Sequence, residues 1–214
     1  MVSAAILAGG RATRFGGRDK SALVVDGRTI LDRQIEALTP LTSDIVIVGS
    51  AAHPMFPGGR TIADRVADSG PLGGLHAALF DTRSDALILL ACDMPFVTTA
   101  FLAYLIDRAT RTADAEEWDA VVPRTERGYH PLCAVYRRGV VDRAARRLDE
   151  RRLKMTDLLD DLRVCVVPSA DVERFGDRHR LLANVNTAED FAAVNHSRHS
   201  GGPRPPDTLQ GHEL

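Results

Sequence analysis

Apolar residues come along this chain in short continuous runs, separated by stretches in which they recur at helical spacing. Val2 to Ile6, the Ile45-Val46-Ile47-Val48 core of Asp44 to Gly49, and Ala86 to Ala91 are such runs. Each has the length of a strand buried on both faces, as the strands of parallel sheets are. Ile30, Leu31, Ile35 and Leu38 predict a helix that ends before Pro40. Leu72, Leu75, Leu79 and Phe80 form an apolar stripe behind Pro71, a residue suited to the first turn of a helix because its missing N–H costs nothing there. Phe101, Leu102, Leu105 and Ile106 predict a third helix, capped by Thr98 or Thr99. Ala22 to Val25 with the Asp26-Gly27 turn reads as a short extended piece, and the Pro/Gly-rich residues 51–61 read as a loop. Strand and helix alternate, which makes the chain α/β.

The second half is less regular. Thr110 to Glu117 is a polar connection to a further strand at Ala120 to Pro123, and Cys133 to Tyr136 suits an antiparallel or edge strand. Helical spacing returns from Val140 to Leu148 and at Met155, Leu158, Leu159 and Leu162, with Thr156 as a cap, before a last strand from Arg163 to Pro168. Thr187 and Asp190 have the spacing of a capping box. From Asn195 onwards Gly, Pro and polar residues dominate, too apolar-poor to offset the entropy of ordering. The expected organisation is one domain over residues 1–195 and a disordered tail over 196–214, whose His196, His199 and His212 are read as solvated rather than as a metal tract. No internal repeat is evident.

Composition narrows the class. A chain of 214 residues with 44% hydrophobic and 26% charged residues can bury one good core. A formal net charge of -2 argues against general nucleic-acid binding. No apolar run approaches the roughly 20 residues of a membrane span, and the N-terminus does not read as a signal peptide, so the expected address is cytoplasmic. Cys92, Cys133 and Cys165 are odd in number and widely spaced, which implies neither a disulfide framework nor a zinc site.

Three stretches carry candidate chemistry. In Leu7 to Lys20, L-A-G-G-R-A-T-R-F-G-G-R-D-K, the glycines Gly9, Gly10, Gly16 and Gly17 let backbone N–H groups converge on an anion, and Arg11, Arg14, Arg18 and Lys20 face a single acid, Asp19. On its residues alone the same loop also suits a solvated turn, and it has neither P-loop nor G-x-G-x-x-G spacing. Gly70-Pro71-Leu72-Gly73-Gly74 opens a helix whose N-terminus suits an anion or the polar edge of a base, or whose glycines serve close packing. Asp93 follows a strand and precedes Pro95, a place for a Mg²⁺ ligand or for a turn aspartate.

Together these stretches resemble the sugar-nucleotide-type nucleotidyltransferases, and within them the molybdenum cofactor guanylyltransferases. The resemblance runs over most of the chain: the glycine loop, A-D-x-x-x-D-x-G-P-L-G-G from Ala63, C-D-M-P from Cys92, Y-H-P-L from Tyr129 and N-V-N-T from Asn184. It implies a Rossmann-like three-layer α/β/α fold with a mostly parallel sheet. It also implies an enzyme that binds GTP with Mg²⁺ and joins GMP to the phosphate of the molybdenum cofactor (Mo-molybdopterin), releasing pyrophosphate. By motif, Leu7, Ala8, Gly9 and Gly10 would meet guanine and ribose, Lys20 and Arg14 the phosphates, Asp64 the nucleotide and Asp93 the metal. Asn184 and Asn186, with Tyr129 and His130, would face the pterin; between Asp64 and Asp68 the motif does not choose. An asparagine that the family often carries after the second strand is replaced here by Gly49-Ser50-Ala51. The alternatives are a molybdopterin cytidylyltransferase or other transferase of this fold, and a non-catalytic protein that delivers the cofactor. Transient contact with cofactor biosynthesis proteins or acceptor apoenzymes is a further expectation.

Overall fold

A strand in the middle of a sheet presents side chains to both faces in alternation, so a run with no polar break can be buried only between two layers. The computed structural model describes residues 1–8, 23–49, 59–111, 117–185 and 190, and in it the apolar runs take that place. In chain order the elements are β1 (Val2–Leu7), a hairpin of β2 (Val24–Val25) and β3 (Arg28–Thr29), α1 (Ile30–Leu38), β4 (Ile45–Val48), β5 (Gly59–Ile62), α2 (Gly70–Asp81) and β6 (Ala86–Ala91). They continue with α3 (Thr99–Thr110), β7 (Ala120–Thr125), β8 (Gly128–Tyr129), β9 (Cys133–Arg137), α4 (Val141–Asp149), α5 (Met155–Leu158), β10 (Val164–Pro168), α6 (Ser169–Glu173) and α7 (Arg178–Leu181).

The main sheet has the order β10-β7-β9-β6-β1-β4-β5, with β8 paired to β7. The pairs β1 with β4, β1 with β6, β4 with β5 and β7 with β10 are parallel. Alternation divides the core in two. Ala4, Ile6, Ile45, Ile47, Ile88 and Leu90 face α1 and α3, where Leu38, Phe101, Leu102 and Leu105 meet them. Ala5, Leu7, Val46, Val48, Leu87 and Leu89 face α2 and α4, where Leu72, Leu75, Leu79, Ala144 and Leu148 meet them. This is the expected three-layer α/β/α arrangement with a mostly parallel sheet.

Several local expectations are refined. Cys133 to Tyr136 is antiparallel but is no edge: β9 lies between β6 and β7 and these four residues are fully buried. Gly59 to Thr61, read as the end of a loop, belong to the strand β5, which among the described residues pairs with β4 alone and whose Gly, Arg and Thr carry no apolar pattern. Thr98, not Thr99, caps α3 by accepting from the Phe101 N–H. Thr156 caps nothing, since α5 begins at Met155 and is followed by a 3₁₀ turn at Leu159–Asp161. Phe80 points away from the core and is 55% exposed, with the Arg65 guanidinium stacked 3.8 Å from its ring centre. At the Asp26-Gly27 turn both residues have positive φ, 50° and 79°, as the tight turn joining β2 to β3 requires. The expectations for Thr187 and for residues 196–214 lie outside the described residues. No helix among the described residues is long and apolar enough to cross a membrane.

Candidate active site

Parallel strands β1 and β6 end side by side, with Leu7 in register with Ala91. In open α/β sheets ligands meet the protein beyond these carboxyl ends. Leu7 and Ala8 stand at the end of β1, and the Cys92 N–H donates to the Leu7 carbonyl at 3.1 Å, so Asp93 leaves β6 next to the point where the chain leaves β1. Asp93 is half-buried, its Oδ1 shielded from solvent. The Val185 N–H donates to the Asp93 carbonyl at 2.7 Å, which brings Asn184 to the same place from the far end of the chain.

Asp64 follows the end of β5. Its Oδ1 lies 3.6 Å from where a Cβ on Gly74 would be, and the Leu7 Cδ2 lies 2.8 Å from that same point. Asp64 is thus beside both the first turns of α2 and the end of β1. Partial burial raises its carboxyl above the ordinary carboxylate range. Asp68 instead takes φ 53° in the turn into α2, ahead of Gly70 at φ 58°. For Gly73 and Gly74 the packing reading accounts for the glycines. A Cβ at Gly73 would lie 2.7 Å from the Ser69 Cβ, and one at Gly74 would press on Leu7, whose side chain is enclosed in the core.

A cavity of about 310 Å³ opens on this end of the sheet. Pro71 of α2, Met94 of the turn after β6, Tyr129 to Cys133, Leu153 to Met155, and Asn184 line it. Motifs far apart in sequence therefore share one wall. The Tyr129-His130-Pro131-Leu132 stretch is held firmly: the Tyr136 hydroxyl, on a fully buried side chain, donates to the Pro131 carbonyl at 2.7 Å, and the Ala91 N–H donates to the Leu132 carbonyl at 2.8 Å. His130 Nε2 lies 2.8 Å from the Thr125 hydroxyl. Burial, reinforced by the Arg127 charge and opposed by Glu126, holds the His130 pKa below its ordinary 6.5, so the ring is neutral at pH 7. The Cys133 thiol is pushed up to about 12 by burial and is no nucleophile at neutral pH.

Gly9, Gly10, Arg14, Lys20 and Asn186 lie outside the described residues. Leu7, Ala8, Asp64, Asp93 and Asn184 are described, and all five stand at the C-terminal end of the sheet or in the segments hydrogen-bonded to it. Sequence reading missed Lys154 and Met155, in a wall segment with no motif around it. One signal was available: of 27 lysines and arginines only Lys20 and Lys154 are lysine. It also missed Gln34, a polar residue one helical turn from both Ile30 and Leu38 on the apolar face of α1.

Among the described residues no group of three or more His, Cys, Asp and Glu side chains could hold a metal. The donors present are single carboxylates, Asp93 and Asp64. That set fits a hard cation brought in with phosphate oxygens and water, as Mg²⁺ is, rather than an all-protein cage.

Residues 4–165 match the model of the MobA-like NTP transferase domain. A molybdenum cofactor guanylyltransferase of Desulfosudis oleivorans is 30% identical over 191 residues, covering 89% of this chain and 92% of that protein. A protein of Methanosarcina acetivorans named a probable molybdenum cofactor guanylyltransferase is 31% identical over 206 residues, covering 90% and 89%. The crystal structure of molybdopterin-guanine dinucleotide biosynthesis protein A from Archaeoglobus fulgidus superposes with a TM-score of 0.73 at 23% identity, over 92% of this chain and 98% of that one. That of 2-C-methyl-D-erythritol 4-phosphate cytidylyltransferase from Thermus thermophilus superposes at 0.65 with 15% identity, over the same shares. At these identities the superpositions show a shared fold.

Proposed function

The chain belongs to the MobA-like NTP transferase domain family, and from that premise we propose that it transfers GMP from GTP to the phosphate of the molybdenum cofactor. The products are the guanine dinucleotide form of the cofactor and pyrophosphate. The observation that carries this reading is the convergence of Pro71, Met94, Tyr129 to Leu132 and Asn184 on one cavity beside Asp93. A two-substrate transferase needs adjoining sites, and the end of β1 with the start of α2 offers the nucleotide side while the cavity offers the acceptor side.

An oxygen of the acceptor phosphate attacks the α-phosphorus of GTP, a new P–O bond forms, and the bond to pyrophosphate breaks. The attacking group is already an anion at neutral pH, so no covalent enzyme intermediate is required. The protein's task is to align two anions and neutralise the charge between them. Lys20 and Arg14 take the phosphates. Leu7, Ala8, Gly9 and Gly10 take the base and ribose edge, and Asp64 lies on the same side. Asn184 and Asn186, with Tyr129 and neutral His130, hold the pterin. Asp93 would hold Mg²⁺, which when bound would offset charge on the phosphates. The address consistent with such a small-molecule enzyme is the cytoplasm, with transient contacts to cofactor biosynthesis proteins or acceptor apoenzymes.

Calorimetric titration with GTP, CTP and ATP, each with Mg²⁺ and again with chelator, tests the nucleotide half. The expected result is a clear preference for GTP with Mg²⁺. Preference for CTP would move the assignment to cytidylyl transfer, and no binding to any nucleotide would end it.

A further inference from the structure

We infer that Gln34 is a positioning residue for Asp93, fixing the turn that carries this carboxylate; the inference rests on the reading of Asp93 as the ligand of a nucleotide-borne metal. Gln34 is on α1 and wholly buried. Its Nε2 carries two hydrogens and donates to two carbonyls, Ala91 at 2.7 Å and Met94 at 3.1 Å. Those carbonyls flank Cys92 and Asp93, so one planar amide sets the span of the turn.

The neighbouring Arg33 continues the support. Its Nε donates to the Pro95 carbonyl at 3.0 Å and its Nη1 to the Val25 carbonyl at 3.4 Å. With Val185 donating to Asp93, the carbonyls of Ala91, Asp93, Met94 and Pro95 are each held by a donor from outside the turn. The Gln34 Oε1 is buried and accepts no hydrogen bond among the described residues. A leucine would fill the same place on the apolar face and remove the stranded Oε1, but it would leave the Ala91 and Met94 carbonyls without this donor, so it is those two carbonyls and not packing that call for an amide here. What the amide adds is a grip on the backbone at both sides of Asp93. A carboxylate that meets a metal is only as well placed as the shell behind it.

The test compares wild type, Gln34→Leu and Asp93→Ala by three measurements: melting temperature, calorimetric binding of GTP with chelator, and Mn²⁺ affinity in the presence of saturating GTP by electron paramagnetic resonance. Gln34→Leu is expected to unfold cooperatively, keep its metal-free GTP affinity, and bind Mn²⁺ roughly tenfold more weakly, with a larger loss in Asp93→Ala. If Asp93→Ala loses Mn²⁺ while Gln34→Leu does not, Gln34 is a structural prop and the inference falls while the reading of Asp93 stands. If Asp93→Ala binds Mn²⁺ as wild type does, the reading of Asp93 falls first. Should Gln34→Leu not fold, Gln34→Met, which keeps the unbranched chain but lacks the donor to Ala91 and Met94, carries the same test. A loss of Mn²⁺ affinity there supports the inference, and none overturns it.

Discussion

The Val185 N–H donates to the Asp93 carbonyl at 2.7 Å, tying the C-terminal motif to the turn after β6 through the backbone. A backbone bond has a consequence that a side-chain contact would not: Asn184 and Asp93 keep their relative placement whatever their side chains are. Substitutions at either residue can therefore report on chemistry with little disturbance of the scaffold.

Asp93→Ala is the first such case. Loss of the carboxylate is expected to lower turnover by about 10²–10³-fold, the scale for removing one preorganised electrostatic group, with the melting temperature within a few degrees of wild type. Steady-state kinetics and thermal unfolding decide it. A collapse of the melting temperature with turnover lost only in proportion to folded protein would make Asp93 a structural turn residue.

Two half-buried histidines set a pH dependence of stability. Burial, with Arg65 at His76 and Arg127 at His130, lowers both below the ordinary 6.5. A lowered histidine pKa means that the unfolded chain binds the proton first. Its stabilising contribution is therefore complete above pH 6.5 and is lost as pH falls towards the folded pKa. In that interval the slope from each ring stays below the value for one full proton, about 1.4 kcal/mol per pH unit, because both rings are partly exposed and screened by solvent. Urea unfolding of wild type and His130→Gln at pH 7.5 and 5.5 should show a smaller acid loss in the variant. Equal losses would mean that His130 titrates alike folded and unfolded.

Gly74→Ala separates packing from ligand contact in the α2 entry. The added methyl meets Leu7 at 2.8 Å, an overpacking expected to cost about 1–3 kcal/mol, read by denaturant midpoint. If stability is unchanged and GTP affinity alone drops, the glycine faces ligand instead.

Tyr136→Phe removes the donor to the Pro131 carbonyl and should destabilise the protein by about 1 kcal/mol. Because Pro131 lines the cavity, KM for the acceptor should rise more than KM for GTP. Equal changes in both would show that Tyr136 supports the fold without shaping the acceptor side.

The sequence by itself determined which segments become strands and which motifs flank them. Ala4 to Leu7, Ile45 to Val48 and Ala86 to Ala91 have no polar break, and only a strand between two helical layers can bury both of its faces. The position of Asp93 just past a strand was legible for the same reason, since that run ends where the polar residues begin, whereas that of Asp64 was not, because the strand ahead of it, Gly59–Ile62, has no apolar pattern. The tertiary structure alone decided what depends on pairing across the chain. Cys133 to Tyr136 could have been an edge strand by pattern, yet it is the antiparallel strand that joins the two halves of the sheet. Gly59–Ile62 is a strand only because β4 offers it hydrogen bonds. Lys154 and Met155 enter the cavity because the chain after α4 returns to the mouth of the sheet, and Gln34 reaches the Asp93 turn because α1 packs beneath it. Periodicity is local and survives in one dimension, whereas the partner of a buried amide is chosen by packing between segments that sequence spacing does not connect.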